Sequence, residues 1–318
     1  MRLVVTGIGG FVAPHLVREL QAHGHTVWGA GLTASPDAAL PPDRMILGDL
    51  GRPGHWDRVL GESEPQAVIH LASQSNPALS WEIPHETFDA NVILTIELVQ
   101  AAARLAHPPR ILYVSSSDVY GIPAGGEALT EMSPLNPMNP YGVSKIAAEN
   151  CARLYGARLD VDVLIARPFS HTGPGQTPRF VVPAFARQVA LAECGKAERI
   201  EHGDLRSHRD FLNVADVVRA YRLLVETSSA SGIYNICSGR SVEIASILKA
   251  LCAMAKTPVA THFDERRARG EKPSVVHGDF SRLHDATGWT PSIALDDTLR
   301  AVLDEQREHV ASAPNTES

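Results

Sequence analysis

The chain has 318 residues, 44% of them hydrophobic and 20% charged, with a formal net charge of −7. This is globular composition with enough apolar residues for a sizeable core, and an acidic chain without a basic block lacks the footprint of a nucleic-acid binder. The four cysteines, Cys151, Cys194, Cys237 and Cys252, have no metal-ligand spacing and suggest no disulfide framework. With no signal-peptide pattern after Met1-Arg2 and no apolar run of membrane-span length, the expectation is a cytoplasmic protein with reduced thiols, no metal and no membrane partner.

Residues 2–6 read as a buried parallel strand. Gly7, Gly10 and Ala13 follow, leading into a helix at 14–22. Strand, glycine turn and helix form the unit that cradles a dinucleotide pyrophosphate, because glycines admit close backbone approach and the helix N-terminus favours negative charge. A second strand at 25–30 ends in Gly-Ala-Gly-Leu. It has neither the acidic group that commonly holds a ribose hydroxyl nor an arginine for a 2′-phosphate, so NAD and NADP both stay open. A short third strand at 45–47 precedes Asp49 and Leu50; Asp49 either caps the next helix or hydrogen-bonds an adenine. The fourth strand, 66–72, carries His70 inside an apolar run, where a satisfied core histidine is the expectation.

A long helix is expected at 87–106 and a fifth strand at 110–114. That strand ends in Ser115-Ser116-Ser117-Asp118, and hydroxyls at the C-terminal end of a central strand face the ligand crevice of an open α/β sheet. Residues 122–140, rich in Pro and Gly, read as a loop suited to cover a site. A helix at 141–157 and a sixth strand at 161–167 follow. From Pro168 onward the chain is expected to leave the sheet and build a smaller lobe. Helices are expected at 180–193, before 226, at 242–255 and at 295–310, with a strand at 233–237 and a disordered tail at 311–318. Residues 266–271, with Arg266, Arg267, Arg269 and Glu271, form a basic cluster able to seat a phosphorylated ligand.

Tyr141 and Lys145 stand four residues apart, one turn of a helix that starts after Pro140. A free tyrosine has a pKa of about 10. An ammonium held nearby favours the phenolate, so Lys145 is expected to lower that value and let Tyr141 exchange a proton with a carbonyl or hydroxyl oxygen. One of the hydroxyls that end the fifth strand could hold a substrate oxygen beside it.

Seven motifs in order carry a resemblance: Thr6-Gly7-x-x-Gly10-Phe11-Val12, Asp49-Leu50, His70-Leu71-Ala72, Ser115-Ser116-x-x-Val119-Tyr120-Gly121, Pro140-Tyr141-x-x-Ser144-Lys145, Arg167-Pro168-Phe169, and Arg209-Asp210-Phe211 with Asp216. Together they resemble the extended short-chain dehydrogenase/reductase family over nearly the whole chain. The resemblance implies an α/β fold, a doubly wound parallel Rossmann sheet with a smaller C-terminal substrate-binding lobe. Residues 1–169 and 210–238 would build the nucleotide domain, and 170–209 with 239–310 the lobe. Within the family, Arg167 to Gln176, followed by Phe180-Val181, and Tyr234 to Gly239 are similar to GDP-4-keto-6-deoxy-D-mannose reductases, which make GDP-D-rhamnose for polysaccharides. They are less similar to GDP-mannose 4,6-dehydratases.

Roles follow from the resemblance. Tyr141 would donate the proton, with Lys145 its activator and a ribose ligand, and Ser116 would hold the C4 oxygen. NADPH or NADH would lie on Gly7, Gly10, Phe11 and Val12 at the pyrophosphate, Asp49 and Leu50 at the adenine, and Leu71, Ala72 and Ser73 at the ribose. Pro168 and His171 would flank the nicotinamide. A GDP-linked deoxy-keto sugar would meet Ser75, Ser116, Ser170, Gln176, Phe180 and Val181, with Arg209 and Arg269 on the diphosphate and Arg187 and Glu271 near the nucleoside. Ser170 replaces the usual asparagine. Asp118 replaces the glutamate that removes the C5 proton in dehydratases, and its shorter reach favours a reductase. A homodimer is implied as well: Ala101, Ala102, Ala103, Ala147, Ala148 and Cys151 put small residues on more than one face of two helices, leaving a second face for a symmetry mate.

Overall fold

The apolar runs pair side by side in a computed structural model that describes residues 1–267 and 273–312. The strands are β1 (Arg2–Thr6), β2 (Thr26–Gly31), β3 (Met45–Leu47), β4 (Ala67–His70), β5 (Arg110–Val114), β6 (Val163–Pro168) and β7 (Gly232–Ile236). All neighbours are parallel, in the order β7-β6-β5-β4-β1-β2-β3. The order reverses at β1, and in an open parallel sheet the ligand crevice lies outside the C-terminal strand ends at such a point. Register places Thr6 between Ala30 and His70, and His70 beside Tyr113.

Helices cover both faces, as a parallel sheet requires. On one, Val12–Ala22 and Val214–Glu226 pack with Leu16, Val217 and Tyr221 in the core. Leu283 and Trp289, in a stretch expected for the lobe, join this same core. On the other lie His55–Ser63, Leu94–Ala102 and Pro140–Leu159.

The long helix expected at 87–106 begins earlier, at Pro84, ends at Ala102, and widens over Asp89–Ile93 to a π-helical turn. Such widened turns occur frequently at functional sites. Here the turn carries Asn91, whose amide joins Gln74 to Ser144.

The lobe has its own core around Phe185, Leu248 and Val302, on helices Val181–Glu193, Ile244–Ala253 and Leu295–Ser312. The helix expected at 242–255 starts later because Val242–Glu243 is extended and pairs with His208–Arg209. The last helix continues to Ser312, past the expected start of the tail; residues 313–318 lie outside the described residues. One carboxylate gathers the crossings between lobe and sheet. Asp210 accepts from the Ser238 amide and hydroxyl, both at 2.7 Å, from the Gly239 amide at 3.0 Å and from the Gly278 amide at 3.3 Å.

The loop 122–140 does not cover the crevice. It is stapled to the β7 side, where the Leu129 amide donates to His277 O at 2.9 Å and the Asn235 amide donates to Glu131 at 2.7 Å. Gly121 permits this path. Its φ is +66°, and a Cβ there would stand 1.9 Å from the Asn136 carbonyl oxygen. Both the left-handed backbone and the contact exclude a side chain. Gly121→Ala is expected to cost about 2–4 kcal/mol and to displace the residues just before Tyr141. Thermal melting and turnover should both fall; an unchanged melting temperature would contradict this account.

Candidate active site

The strand ends open into a cavity of about 1360 Å³, above the 300–1,000 Å³ or so typical of a single small-ligand site and roomy enough for two ligands. Its floor on the β1 side is the glycine turn. Gly7 has φ +69°, and a Cβ would lie 2.8 Å from the Ala72 amide nitrogen; at Gly9 it would lie 2.7 Å from Thr33 O. The helix Val12–Ala22 begins here with no side-chain cap and no acidic residue in its first turn. Its first amides are therefore left for an anion, and the cradle fits a dinucleotide pyrophosphate.

Gly7, Gly10, Phe11, Val12, Asp49, Leu50, Leu71, Ala72 and Ser73 all line this half of the cavity. Asp49 also accepts from the Gly51 amide at 3.0 Å, so it closes a turn while facing the cavity. Leu32 and Thr33, which follow β2 and carry no charge, line it as well. His70 is a core residue, hydrogen-bonded through Nδ1 to Thr6 Oγ1 at 2.8 Å. Burial and the nearby Lys145 push its pKa down to about 3, so it stays neutral, and Nε2 is unpartnered among the described residues.

The pair expected to exchange a proton, Tyr141 and Lys145, is positioned by three elements. Asn139 caps the helix Pro140–Leu159 by accepting from the Gly142 amide at 2.7 Å, while Ser80 Oγ accepts from the Tyr141 amide at 3.1 Å. Tyr141 and Lys145 thereby face β5, whose end supplies Ser116 and Asp118 to the same cavity. Lys145 Nζ donates to Val114 O at 2.9 Å and lies over two rings, 5.1 Å from the Tyr113 centroid and 5.7 Å from that of Tyr141.

The expected acidification of Tyr141 by Lys145 is not found. Burial and the Asp118 carboxylate push the phenol well above the ordinary tyrosine value, against a hydrogen bond from Ser116. The same burial lowers Lys145 to about 7, with Glu149 opposing. Desolvation penalises phenolate and ammonium alike, and it outweighs their attraction. Tyr141 is therefore a protonated phenol at neutral pH. Asp118 is raised by burial and held back by an Asn139 hydrogen bond and by Arg209.

The far half of the cavity is lined by Ser75 and Pro168 at the strand ends and by Ser170, His171, Gln176, Phe180, Val181 and Arg209 beyond them. His171 donates through Nδ1 to Phe169 O at 3.0 Å and stacks on Phe11 with ring centroids 6.2 Å apart. Gln176 is fixed by Thr172 at 2.7 Å. Arg187 is exposed on the outer face of its helix; Gln188, one residue on and about 100° around, lines the cavity instead. Arg269 and Glu271 lie outside the described residues.

The lining also holds residues that the motif reading passed over: Gln74, Arg179, Glu201 and Asp204. Asn91 and Asn139 were missed too. A widened helical turn has no sequence signature, and the Asn139 signal was the N-cap rule applied one residue before Pro140.

Residues 3–237 match the NAD dependent epimerase/dehydratase family. The chain belongs to this family. It is 38% identical to the GDP-6-deoxy-D-mannose reductase of Pseudomonas aeruginosa, over 97% of this chain and 98% of that protein. The structure of RMD from Pseudomonas aeruginosa complexed with NADPH superposes with a TM-score of 0.85 at 36% identity, covering 97% of this chain and all of that one. The UDP-glucose 4-epimerase of Mycolicibacterium smegmatis is 28% identical, over 93% and 95% of the two chains. The doubly wound parallel sheet that the resemblance implied is present in this chain with seven strands.

Asn139→Ala tests the assembly. It removes the helix cap, at a cost of about 1 kcal/mol, and takes a hydrogen bond from Asp118. Asp118 already has a folded-state pKa above its unfolded value. Such a group costs stability where the unfolded carboxyl is ionised, so that share of the loss grows above about pH 4 and vanishes below it. The variant's melting deficit should be larger at pH 7 than at pH 3.5; equal deficits would show that Asp118 takes no part.

Proposed function

We propose that the chain reduces the C4 keto group of a GDP-linked 4-keto-6-deoxyhexose with NADPH or NADH, giving GDP-D-rhamnose or its C4 epimer. The observation that carries this is that Ser116, Tyr141 and the short Asp118 share one cavity with the glycine cradle. Reduction of a carbonyl needs a proton donor at the oxygen, whereas a dehydratase or epimerase first needs a base to take the C4 hydroxyl proton. Burial and the Asp118 carboxylate keep the phenol protonated, so a proton is in place for the developing alkoxide. The short Asp118 and the 38% identity to a GDP-6-deoxy-D-mannose reductase support the same reading.

When bound on the glycine cradle, the reduced nicotinamide supplies the hydride. Ser116 orients the C4 oxygen, Tyr141 gives its proton to the developing alkoxide, and Lys145 holds the ribose and the phenol's surroundings. Arg209 takes the diphosphate; it already donates to Ser274 Oγ at 3.0 Å and to His208 O at 2.8 Å, which fixes its direction. GDP-4-keto-6-deoxymannose should then consume one NADPH or NADH per product, read as loss of absorbance at 340 nm. A product formed without that loss would favour an epimerase or dehydratase.

Tyr141→Phe should lower turnover by roughly 10²- to 10⁴-fold or more and leave cofactor affinity within a few fold; more than half the wild-type rate would exclude Tyr141 as donor. Arg209→Ala should raise KM for the sugar nucleotide more than it lowers kcat, by an amount equivalent to about 2–3 kcal/mol. A loss of cofactor affinity instead would reassign that residue.

We also propose a homodimer. Ala101, Ala102 and Ala148 face the core and are not available to a partner. The outward stripe is Val143 at 44% and Leu154 at 68% exposure, beside Phe88 and Ile93 of the neighbouring helix. Leu154→Glu should convert a particle of about twice 34.3 kDa into a monomer by light scattering, with lower turnover. A wild-type protein that is a fully active monomer at micromolar concentration would end this proposal.

A further inference from the structure

The helix that carries Tyr141 and Lys145 repeats its spacing once more and brings Glu149 to the same stripe. Glu149 is 2% exposed, and so is its partner Arg167. The guanidinium grips the carboxylate at both oxygens, Nε to Oε1 at 2.9 Å and Nη2 to Oε2 at 2.6 Å. Ser115 Oγ donates to Oε1 as well. Arg167 continues to the Tyr120 hydroxyl at 2.9 Å, and Tyr120 donates to Asn235 at 2.7 Å. A chain of polar groups thus runs from one turn below Lys145 across β6 to β7.

A buried ion pair is a poor source of stability, since well-packed apolar residues of similar volume often do as well. The placement of this one suggests another use. Ser115, which Glu149 holds, precedes Ser116. Val114, which precedes Ser115, gives its carbonyl to Lys145. The groups facing Lys145 are Tyr141 and Glu149 on its own helix, Tyr113 on β5 and His70 on β4. Tyr141, Tyr113 and His70 are neutral at pH 7. Glu149 is the anion of this set, and Arg167 stands behind it.

We propose that Glu149 is a positioning residue for the reaction: held by Arg167, it fixes the strand end bearing Ser116 and supports the Lys145 ammonium from one helical turn away. This rests on the reading of Lys145 as a ribose ligand and part of the proton-transfer group. Removing the carboxylate charge leaves the ammonium buried without its counter-charge, so Lys145 loses its proton at lower pH.

The test compares Glu149→Gln, Glu149→Asp and the double variant Glu149→Gln/Arg167→Met, which leaves no unpaired buried guanidinium. Two quantities are followed from pH 6 to 9: the NADPH dissociation constant by fluorescence, and turnover with GDP-4-keto-6-deoxymannose. In Glu149→Gln and in the double variant the alkaline limb of both should move down by about one pH unit, a roughly tenfold loss at pH 8 with near wild-type values at pH 6. Glu149→Asp should restore most of the shift. A folded double variant whose limbs coincide with the wild type would overturn the proposal and leave Glu149 a purely structural residue. The binding arm is independent of the sugar. A wild-type protein that shows the NADPH limb and yet reduces no keto sugar would sink the functional reading alone.

Discussion

A helix that turns its charged residues inward must be satisfied from the other side. Pro140–Leu159 buries Tyr141, Ser144, Lys145 and Glu149 rather than an apolar stripe. The sheet and its neighbours supply what those groups need: the Val114 carbonyl for Lys145, Arg167 and Ser115 for Glu149, Asn91 for Ser144 and Ser80 for the Tyr141 amide. Each unmade bond of this kind would cost on the order of 1–3 kcal/mol. The position of Tyr141 is thus set by several independent contacts, and the ends of β4 and β5, the widened turn at Asn91 and the cap at Asn139 are all arranged around it.

The same burial decides the chemistry. Taking a tyrosine and a lysine out of water together favours the neutral form of each, and here burial is the larger effect on both. The site therefore stores its proton on the phenol oxygen and keeps its lysine close to the point of losing charge. Asp118 adds to the effect on Tyr141, and Arg209 and Asn139 restrain Asp118 in turn.

The fold was legible because each strand is a short apolar run and each strand end carries a glycine or serine turn. Arg2–Thr6, Met45–Leu47 and Arg110–Val114 fall where periodicity puts them. That the residues expected to hold the cofactor line one side of a single cavity was legible for the same reason, since they sit on contiguous turns. The lobe half was less so. Whether Arg187 or Gln188 faces the cavity depends on helix rotation, which one residue changes by about 100°. Asn91 depends on an extra residue in a helical turn, and the pKa of Tyr141 depends on burial; neither is written in a motif. The loop 122–140 has the composition of a lid, but composition does not say which side it folds to.

The four donor contacts on Asp210 have a consequence for how such a protein can diversify. The lobe is made of discontinuous pieces, and the chain crosses to and from the sheet near residues 170, 210, 238 and 278. One carboxylate ties three of those crossings together. The lobe cannot therefore be exchanged as a cassette between two proteins, because no single cut-and-paste segment carries its core, its walls and its anchorage. Acceptance of a new sugar or a new base has to come through side-chain replacement on an inherited frame, with the aspartate as the point about which every such change must remain aligned.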